Sequence, residues 1–171
     1  IDGLMVPDGH RIGEEGKGFS YLLDSLNPER ILIAAEALGI GKTALRRAVE
    51  YAGQRVVFDR PIGQNQSIQH PLAENWVELE AAGLLIAKAA HLYDSGAPAG
   101  GMANAAKYFA AEAGFKAATQ AVMTLGGMGY AKEYHVERLL RESLIPRLAP
   151  VSAQMVLNYI AERVLGLPKS Y

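Results

Sequence analysis

The sequence predicts an all-α fold, an antiparallel four-helix bundle with short extra helices. Apolar residues recur at helical spacing over four long stretches, and short segments rich in turn-forming residues separate those stretches. No alternation of apolar and polar residues typical of a β-strand follows residue 12. The chain has 171 residues, of which 50% are hydrophobic, and this suits one domain with a sizeable core.

The first third of the chain leaves one boundary open. Residues 1–15 are expected to form a short extended piece and a loop, and residues 17–26 a short helix. Asn27 and Pro28 are then either the N-cap and first position of a second helix over 28–55, or a kink within one long helix.

The remaining helices are predicted between turn signals. These signals are the segments rich in Gly, Pro, Asn and Ser at 59–65, 95–101 and 126–130. The helices expected between and after them cover about 67–94, 102–125, 136–141 and 151–165.

The Gly-Ile-Gly-Lys-Thr segment at 39–43 is similar to part of a phosphate-binding loop. Such a loop requires another glycine five residues before Gly41, but Glu36 stands there. A phosphate loop also lies between a strand and a helix, whereas apolar residues at helical spacing lie on both sides of these glycines. We therefore interpret Gly39 and Gly41 as small residues in a helix that packs closely against a neighbour.

Composition and charge exclude several classes of function. A formal net charge of −1 provides no basic surface for nucleic acid, and the apolar runs are too short for a membrane span. The absence of cysteine excludes disulfides and thiolate metal sites, and the four histidines share no metal-ligand spacing, so no metal site is predicted. The start at Ile1 has neither methionine nor the features of a signal peptide, and we expect a piece of a longer protein.

Charged residues near the predicted helix ends are the candidates for chemistry. Glu29 lies in the first turn of a predicted helix, where the helix dipole favours a negative charge even without a function. Arginines near the glycine-rich turns are suited to clamp a phosphate or carboxylate, or are simply solvated helix ends. They are Arg55, Arg60, Arg138, Arg141 and Arg147.

A series of motifs carries a family resemblance. The series comprises Ile-Gly-Glu-Glu-Gly-Lys-Gly-Phe at 12–19, Glu-Arg at 29–30, Tyr-Ala-Gly-Gln-Arg-Val-Val-Phe at 51–58, Gln-Ser-Ile-Gln at 66–69, and Leu-Gly-Gly-Met-Gly-Tyr at 125–130 with the charged segment up to 141. In this order the motifs resemble the C-terminal domain of the acyl-CoA dehydrogenase family. The resemblance implies that residues 1–15 are the tail of a preceding β domain with its linker, and that residues 16–171 are the helical bundle domain.

The resemblance also implies an activity and partners. Family members are FAD-dependent enzymes that oxidise an acyl-CoA to the trans-2-enoyl-CoA, with loss of the α-proton to a carboxylate and of the β-hydrogen as hydride to FAD. It implies electron-transfer flavoprotein as electron acceptor, a homo-oligomer (dimer or tetramer), and a location in bacterial cytoplasm or the mitochondrial matrix. Alternatives are a sister flavoenzyme (acyl-CoA oxidase or flavin monooxygenase) and a non-catalytic oligomerisation bundle.

The position of the base departs from the commonest family pattern. Most members place the catalytic glutamate in a Tyr-Glu-Gly-Thr segment, but here Pro150 occupies that position, within Ala149 to Ser152. Isovaleryl-CoA and long-chain acyl-CoA dehydrogenases instead carry it in a Glu-Arg pair that heads a long helix. The resemblance therefore implies that Glu29 is the catalytic base and that Arg30 orders the active site and its substrate.

Cofactor contacts carry over to six positions. The resemblance implies contacts with FAD, including its pyrophosphate and adenosine in a neighbouring subunit, for Arg55, Phe58, Gln66, Gly127, Ser152 and Gln154. Met123 departs from the family, because a glutamine that contacts the adenosine stands there in relatives. FAD is expected in the full-length protein, and the isolated chain is expected to bind it weakly or not at all.

Overall fold

A computed structural model describes residues 1–170 as a helical bundle, which confirms the predicted fold class. Three long helices form its body: α1, Gly18–Gln54; α2, Gln66–Asp94; and α3, Gly100–Leu125. Short segments join them, so that successive helices run antiparallel. Shorter helices follow: α4, Gly127–Tyr130; α5, Val136–Glu142; α6, Ile145–Leu148; and α7, Ala153–Tyr159, which continues into a π-helical segment, Ile160–Val164. Three-residue 3-10 helices lie at Asp8–His10, Ile62–Gln64 and Lys132–Tyr134.

Helix α1 resolves the boundary that the sequence left open. It is one helix of 37 residues with Pro28 inside it, so a separate helix that begins at Pro28 is wrong. Proline lacks the N–H that would bond the carbonyl of Asp24. The backbone around Asp24 is exposed, which lets water satisfy that carbonyl and keeps the proline tolerable.

The last predicted helix, 151–165, is also corrected. Helix α7 begins only at Ala153, with Ser152 as its N-cap, and its last turns change from α- to π-helical at Ile160. The serine hydroxyl accepts a hydrogen bond from the N–H of Met155 at 3.5 Å. Because serine favours the N-cap position, the helix starts after it and not at Val151.

A small hairpin lies where the sequence predicted only a turn. Strand β1, Val56–Val57, pairs antiparallel with strand β2, Arg60–Pro61. Phe58 and Asp59 connect them with φ angles of 52° and 62°, the positive values that a two-residue hairpin turn requires. Strands of two residues have no readable alternation, and the turn lacks the usual glycine, so the pattern gave no signal.

The core lies along an alanine-rich contact between α1 and α3. A Cβ atom added to Gly114 would lie 2.5 Å from the carbonyl oxygen of Ala37, and one added to Gly41 would lie 2.9 Å from the Cα of Gly114. Gly41 therefore packs closely against α3, as expected, whereas Gly39 is exposed and a Cβ atom added to it would meet no atom within 4 Å. The interpretation of Gly39 as a packing glycine is wrong.

Residues 1–170 contain neither a membrane-spanning helix nor a cluster of metal-ligating side chains. None of the helices found there combines the length and the apolar character needed to cross a membrane. Within the same residues, His, Asp and Glu side chains form no group of three that is arranged to hold a metal ion.

Candidate active site and cofactor-binding surface

Glu29 and Arg30 lie side by side on α1 but in different environments. Glu29 is exposed, whereas Arg30 is only 8% exposed. The Nη1 atom of Arg30 donates a hydrogen bond to Oδ1 of Asn27 at 3.3 Å, and its buried Nε has no partner among residues 1–170. Burial lowers the pKa of Arg30, while Tyr159 and Glu29 act in the opposite direction. The pair thus presents an accessible carboxylate beside a buried cation.

Lys107 is a third charged residue at this end of the bundle, and the sequence reasoning missed it. Its side chain is buried in α3 (1% exposed), and its Nζ donates a hydrogen bond to the carbonyl oxygen of Val151 at 2.6 Å. Burial lowers the pKa of Lys107, and the charge of Arg30 lowers it further, against an opposing effect of Glu112. The signal in the sequence is a lysine within an alanine-rich helix, at the spacing of buried alanines.

Lys107 links the two segments that the resemblance associates with the catalytic base. It is close enough to Arg30 for their charges to repel, and it bonds the segment that contains Pro150. The segment at 149–152 and the Glu29–Arg30 pair therefore lie at the same end of the bundle. Ser152 caps α7 there, and Gln154 is exposed in the first turn of that helix.

A second group of candidate residues surrounds the end of α1. Arg55 follows α1, and its backbone is fixed, because its N–H donates to Tyr51 and its carbonyl accepts from the N–H of Ile62, both at 2.8 Å. Its guanidinium, by contrast, makes no hydrogen bond or ion pair within residues 1–170. The side chain therefore extends from a rigid anchor without a partner in the described chain.

The other arginines near the glycine-rich turns all have partners. Arg147 pairs with Glu112 at 2.9 Å and lies over the ring of Phe115. Arg60 donates to Asn65, Arg138 pairs with Glu142, and Arg141 pairs with Glu137. Arg55 is thus the one of these five arginines whose charge the described residues leave available to a ligand.

A cleft of about 290 Å³ brings Arg55 and Gly127 together. Both line it, along with Val57 and the glycine-rich turn at 126–128. A Cβ atom at Gly127 would meet no atom within 4 Å, and its φ angle is not in the left-handed region. Neither backbone conformation nor packing within the described chain requires a glycine at 127, so its small size is available to a group from outside.

The other candidate cofactor contacts lie outside this cleft. Phe58, at the tip of the hairpin, is 94% exposed. Gln66 is the exposed first residue of α2 and does not line the cleft. Met123, the position at which the sequence departs from the family resemblance, is 70% exposed.

The chemistry of the cleft suits the diphosphate of FAD. An arginine presents parallel N–H donors that match two phosphate oxygens, and Arg55 has these donors free within residues 1–170. A turn without side chains at 126 and 127 permits a bulky anionic group to approach the backbone. The residues present therefore fit this part of the cofactor.

Comparison with known proteins assigns this chain to a family of oxidoreductases. The model described as "Acyl-CoA dehydrogenase, C-terminal domain" matches residues 16–165, and the chain belongs to the acyl-CoA dehydrogenase family. This confirms the resemblance drawn from the sequence motifs.

Individual relatives agree with this assignment. Acyl-CoA dehydrogenase FadE12 of Mycobacterium tuberculosis is 46% identical over an alignment 173 positions long, which covers 100% of this chain and 45% of the relative. The structure of butyryl-CoA dehydrogenase from Megasphaera elsdenii matches with a TM-score of 0.91 and 39% identity, over 94% of this chain and 42% of that one. An FAD complex of PigA matches with a TM-score of 0.91 and 28% identity, over 96% and 43%. The chain thus spans less than half the length of these relatives.

Proposed function

We propose that this chain is the C-terminal helical domain of an FAD-dependent acyl-CoA dehydrogenase, and that the full-length enzyme oxidises an acyl-CoA to the trans-2-enoyl-CoA. One observation carries the proposal. At one end of the bundle, Glu29 presents an accessible carboxylate beside the buried Arg30, while Pro150 offers no base in the neighbouring segment. Membership of the family supplies the reaction that such a carboxylate serves.

Glu29 is proposed to act as the general base. Its carboxylate accepts the α-proton of the acyl thioester, a step that requires the carboxylate to reach the substrate carbon. Exposure of Glu29 supports this role, because nothing within the described chain covers it. Arg30 holds the local geometry through Asn27 and is proposed to order the substrate beside the base.

The proposed FAD contacts divide between the two ends of the domain. The exposed guanidinium of Arg55 and the open turn at Gly127 support binding of the cofactor's diphosphate. Phe58 and Gln66 are proposed to extend this contact, and Ser152 and Gln154 to meet the cofactor near the base. When bound, FAD supplies the acceptor for the β-hydride. These residues bind and orient the cofactor and take no proton.

The proposal includes the wider assembly. We infer that residues 1–15 end a preceding β domain and that residues 16–171 form the helical domain. Met5, Ile12 and Phe19 are 91%, 87% and 72% exposed. Such exposed apolar side chains support the inference that other domains or subunits bury them in the full-length protein. A homo-oligomer, acyl-CoA as substrate and electron-transfer flavoprotein as electron acceptor complete the proposal, as family membership implies.

The proposal is tested in the full-length enzyme by anaerobic titration with acyl-CoA thioesters of increasing chain length. We expect loss of flavin absorbance in the wild type and formation of the 2-enoyl product. Glu29→Gln preserves the volume and removes the basic oxygen, and it should slow flavin reduction by about 10²–10⁴-fold while FAD content stays unchanged.

The matched control is Glu36→Gln, which changes another exposed glutamate of α1. Reduction at the wild-type rate in Glu29→Gln would refute the assignment of the base. Rapid reoxidation of the reduced flavin by oxygen would favour an oxidase or a monooxygenase instead.

A further inference from the structure

We propose that Lys107 is a positioning residue for this active site, and that its ammonium holds the segment 149–152 in place beside Glu29 and Arg30. The inference rests on the proposed function, in which that segment forms part of the active-site wall. It concerns a residue for which the family resemblance implied no role.

The stability of the domain does not explain why a lysine occupies buried position 107. Its neighbours along the same face of α3 are Ala103, Ala106 and Ala110, each 0% exposed, while Lys107 itself is 1% exposed. An ammonium group in such surroundings is costly unless it is hydrogen-bonded, and an apolar side chain of similar size is often as stable or more so. A buried lysine here therefore points to a task other than filling the core.

The hydrogen bond that Lys107 donates indicates what this task is. Within 149–152, the other backbone hydrogen bonds are local: Ala149 donates to Ile145, and Ser152 accepts from Val156. The 2.6 Å bond from Lys107 to the Val151 carbonyl spans 44 positions of sequence. Among the described residues, it is the hydrogen bond that ties this segment to a long helix. Without it, the remaining backbone hydrogen bonds of the segment would join it only to the short helices on either side.

The charges around Lys107 also indicate that this lysine is not there to stabilise the bundle. Lys107 and Arg30 repel one another, yet each bonds a neutral oxygen, the Val151 carbonyl and the Asn27 side-chain amide. The nearby carboxylate of Glu112 is bonded by Arg147. Replacement of Lys107 by a neutral residue relieves this repulsion, so the bundle as a whole need not lose stability when the segment is released.

The test compares hydrogen exchange and kinetics in the full-length enzyme. Lys107→Met keeps the length of the side chain and removes the donor. We expect the hydrogen-bonded amides in and next to this segment, those of Ala149, Met155 and Val156, to exchange about 10-fold faster, the size expected for loss of a charged hydrogen bond, while α1 and α2 keep their protection. The rate of flavin reduction should fall with little change in substrate KM, and Lys107→Gln, which retains a donor, should recover part of both effects.

Lys116→Met is the matched control, because it removes an exposed lysine from the same helix and should leave exchange at Ala149, Met155 and Val156 unchanged. Wild-type exchange at these three amides in Lys107→Met would overturn the proposal, as would a uniform loss of protection across the whole bundle. If Lys107→Met does not fold, the same measurement on Lys107→Gln decides the question. If the wild-type enzyme reduces no flavin with any acyl-CoA, the proposed function fails, and exchange still judges the role of Lys107 separately.

Discussion

The two ends of this domain treat their arginines in opposite ways. Arg30 is buried and bonds Asn27, near a buried lysine that bonds a main-chain carbonyl. Arg55 follows α1, and its guanidinium has no partner among residues 1–170 and lies beside an open glycine-rich turn. One site is ordered largely by the chain itself, whereas the other presents groups that a ligand must complete.

The difference follows from solvation. A buried cation without hydrogen bonds costs several kcal/mol, so contacts at the Arg30 end must form as the domain folds. An exposed guanidinium remains hydrated and costs little while it has no partner. Substitutions at the Arg55 end should therefore change ligand binding and leave stability unaffected, and those at packed positions should do the reverse.

Of the substitutions that test this difference between the two ends, Arg55→Met should have the largest effect, a loss of affinity for FAD. Loss of a charged hydrogen bond to a diphosphate corresponds to about 1.5–3 kcal/mol, which lowers the affinity of the full-length protein for FAD roughly 10- to 100-fold. The thermal midpoint of the FAD-free protein should not change. Fluorescence titration with FAD measures the affinity. Arg46→Met, which removes an ion-paired arginine within α1, is the control, and an equal loss in both variants would contradict the role of Arg55.

A pair of glycine substitutions gives the next largest effect. In Gly114→Ala, the new Cβ would lie 2.5 Å from the Ala37 carbonyl oxygen, and relief of this overlap should cost about 1–3 kcal/mol of unfolding free energy. In Gly127→Ala, the Cβ meets no atom within 4 Å, so stability should stay the same while FAD affinity falls. Urea-induced unfolding and FAD titration of both variants separate the two outcomes. Equal destabilisation by the two substitutions would contradict the claim that packing requires a glycine at 114 but not at 127.

The smallest effect concerns Lys116, which pairs with Glu74 and Glu78 across the surface between α2 and α3. Its hydrogen bond with Glu78 raises the pKa of Lys116 above the ordinary value of 10.5. A raised lysine pKa contributes stability that is fully present below pH 10.5 and is lost as the pH rises through the folded-state pKa. Since the group is 47% exposed, Lys116→Met should cost only about 0.5 kcal/mol at pH 8.

Urea-induced unfolding of wild type and Lys116→Met at pH 8 and pH 11.5 checks this prediction. The difference between the two proteins should shrink at the higher pH. A difference that grows with pH would mean that the ion pairs are not its source.

The sequence was sufficient for the long helices and insufficient for the local details between them. Helical spacing over 67–94 and 102–125 agrees closely with α2 and α3, because apolar periodicity reflects the burial of one face. At Pro28 the same local residues suit a helix start and a tolerated interior proline, and only packing along the rest of α1 decides between them. The hairpin at Phe58 depends on positive φ angles at residues that rarely adopt them, which no periodicity reveals.

The candidate site was predictable to a similar degree. Motif resemblance selected Glu29 and Arg55, and the structure separates Arg55 from the four other arginines on an independent ground, the partners that the others have. Lys107 escaped prediction because its bond to Val151 joins positions far apart in sequence. A lysine among alanines on a helix is ordinary when exposed, and its meaning depends on burial that the local sequence does not state.

The contact of Gly41 with Gly114 has a consequence for mutational libraries. There the distance between α1 and α3 is limited by backbone against backbone, since a Cβ atom on Gly41 would lie 2.9 Å from the Cα of Gly114 even if the Leu79 side chain, at 2.6 Å, moved away. Selection for altered substrate range should therefore spare this pair and place its accepted changes near the helix ends. Deep mutational scanning should show the two glycines as the least permissive neighbours in α1 and α3, even though neither is near the proposed chemistry.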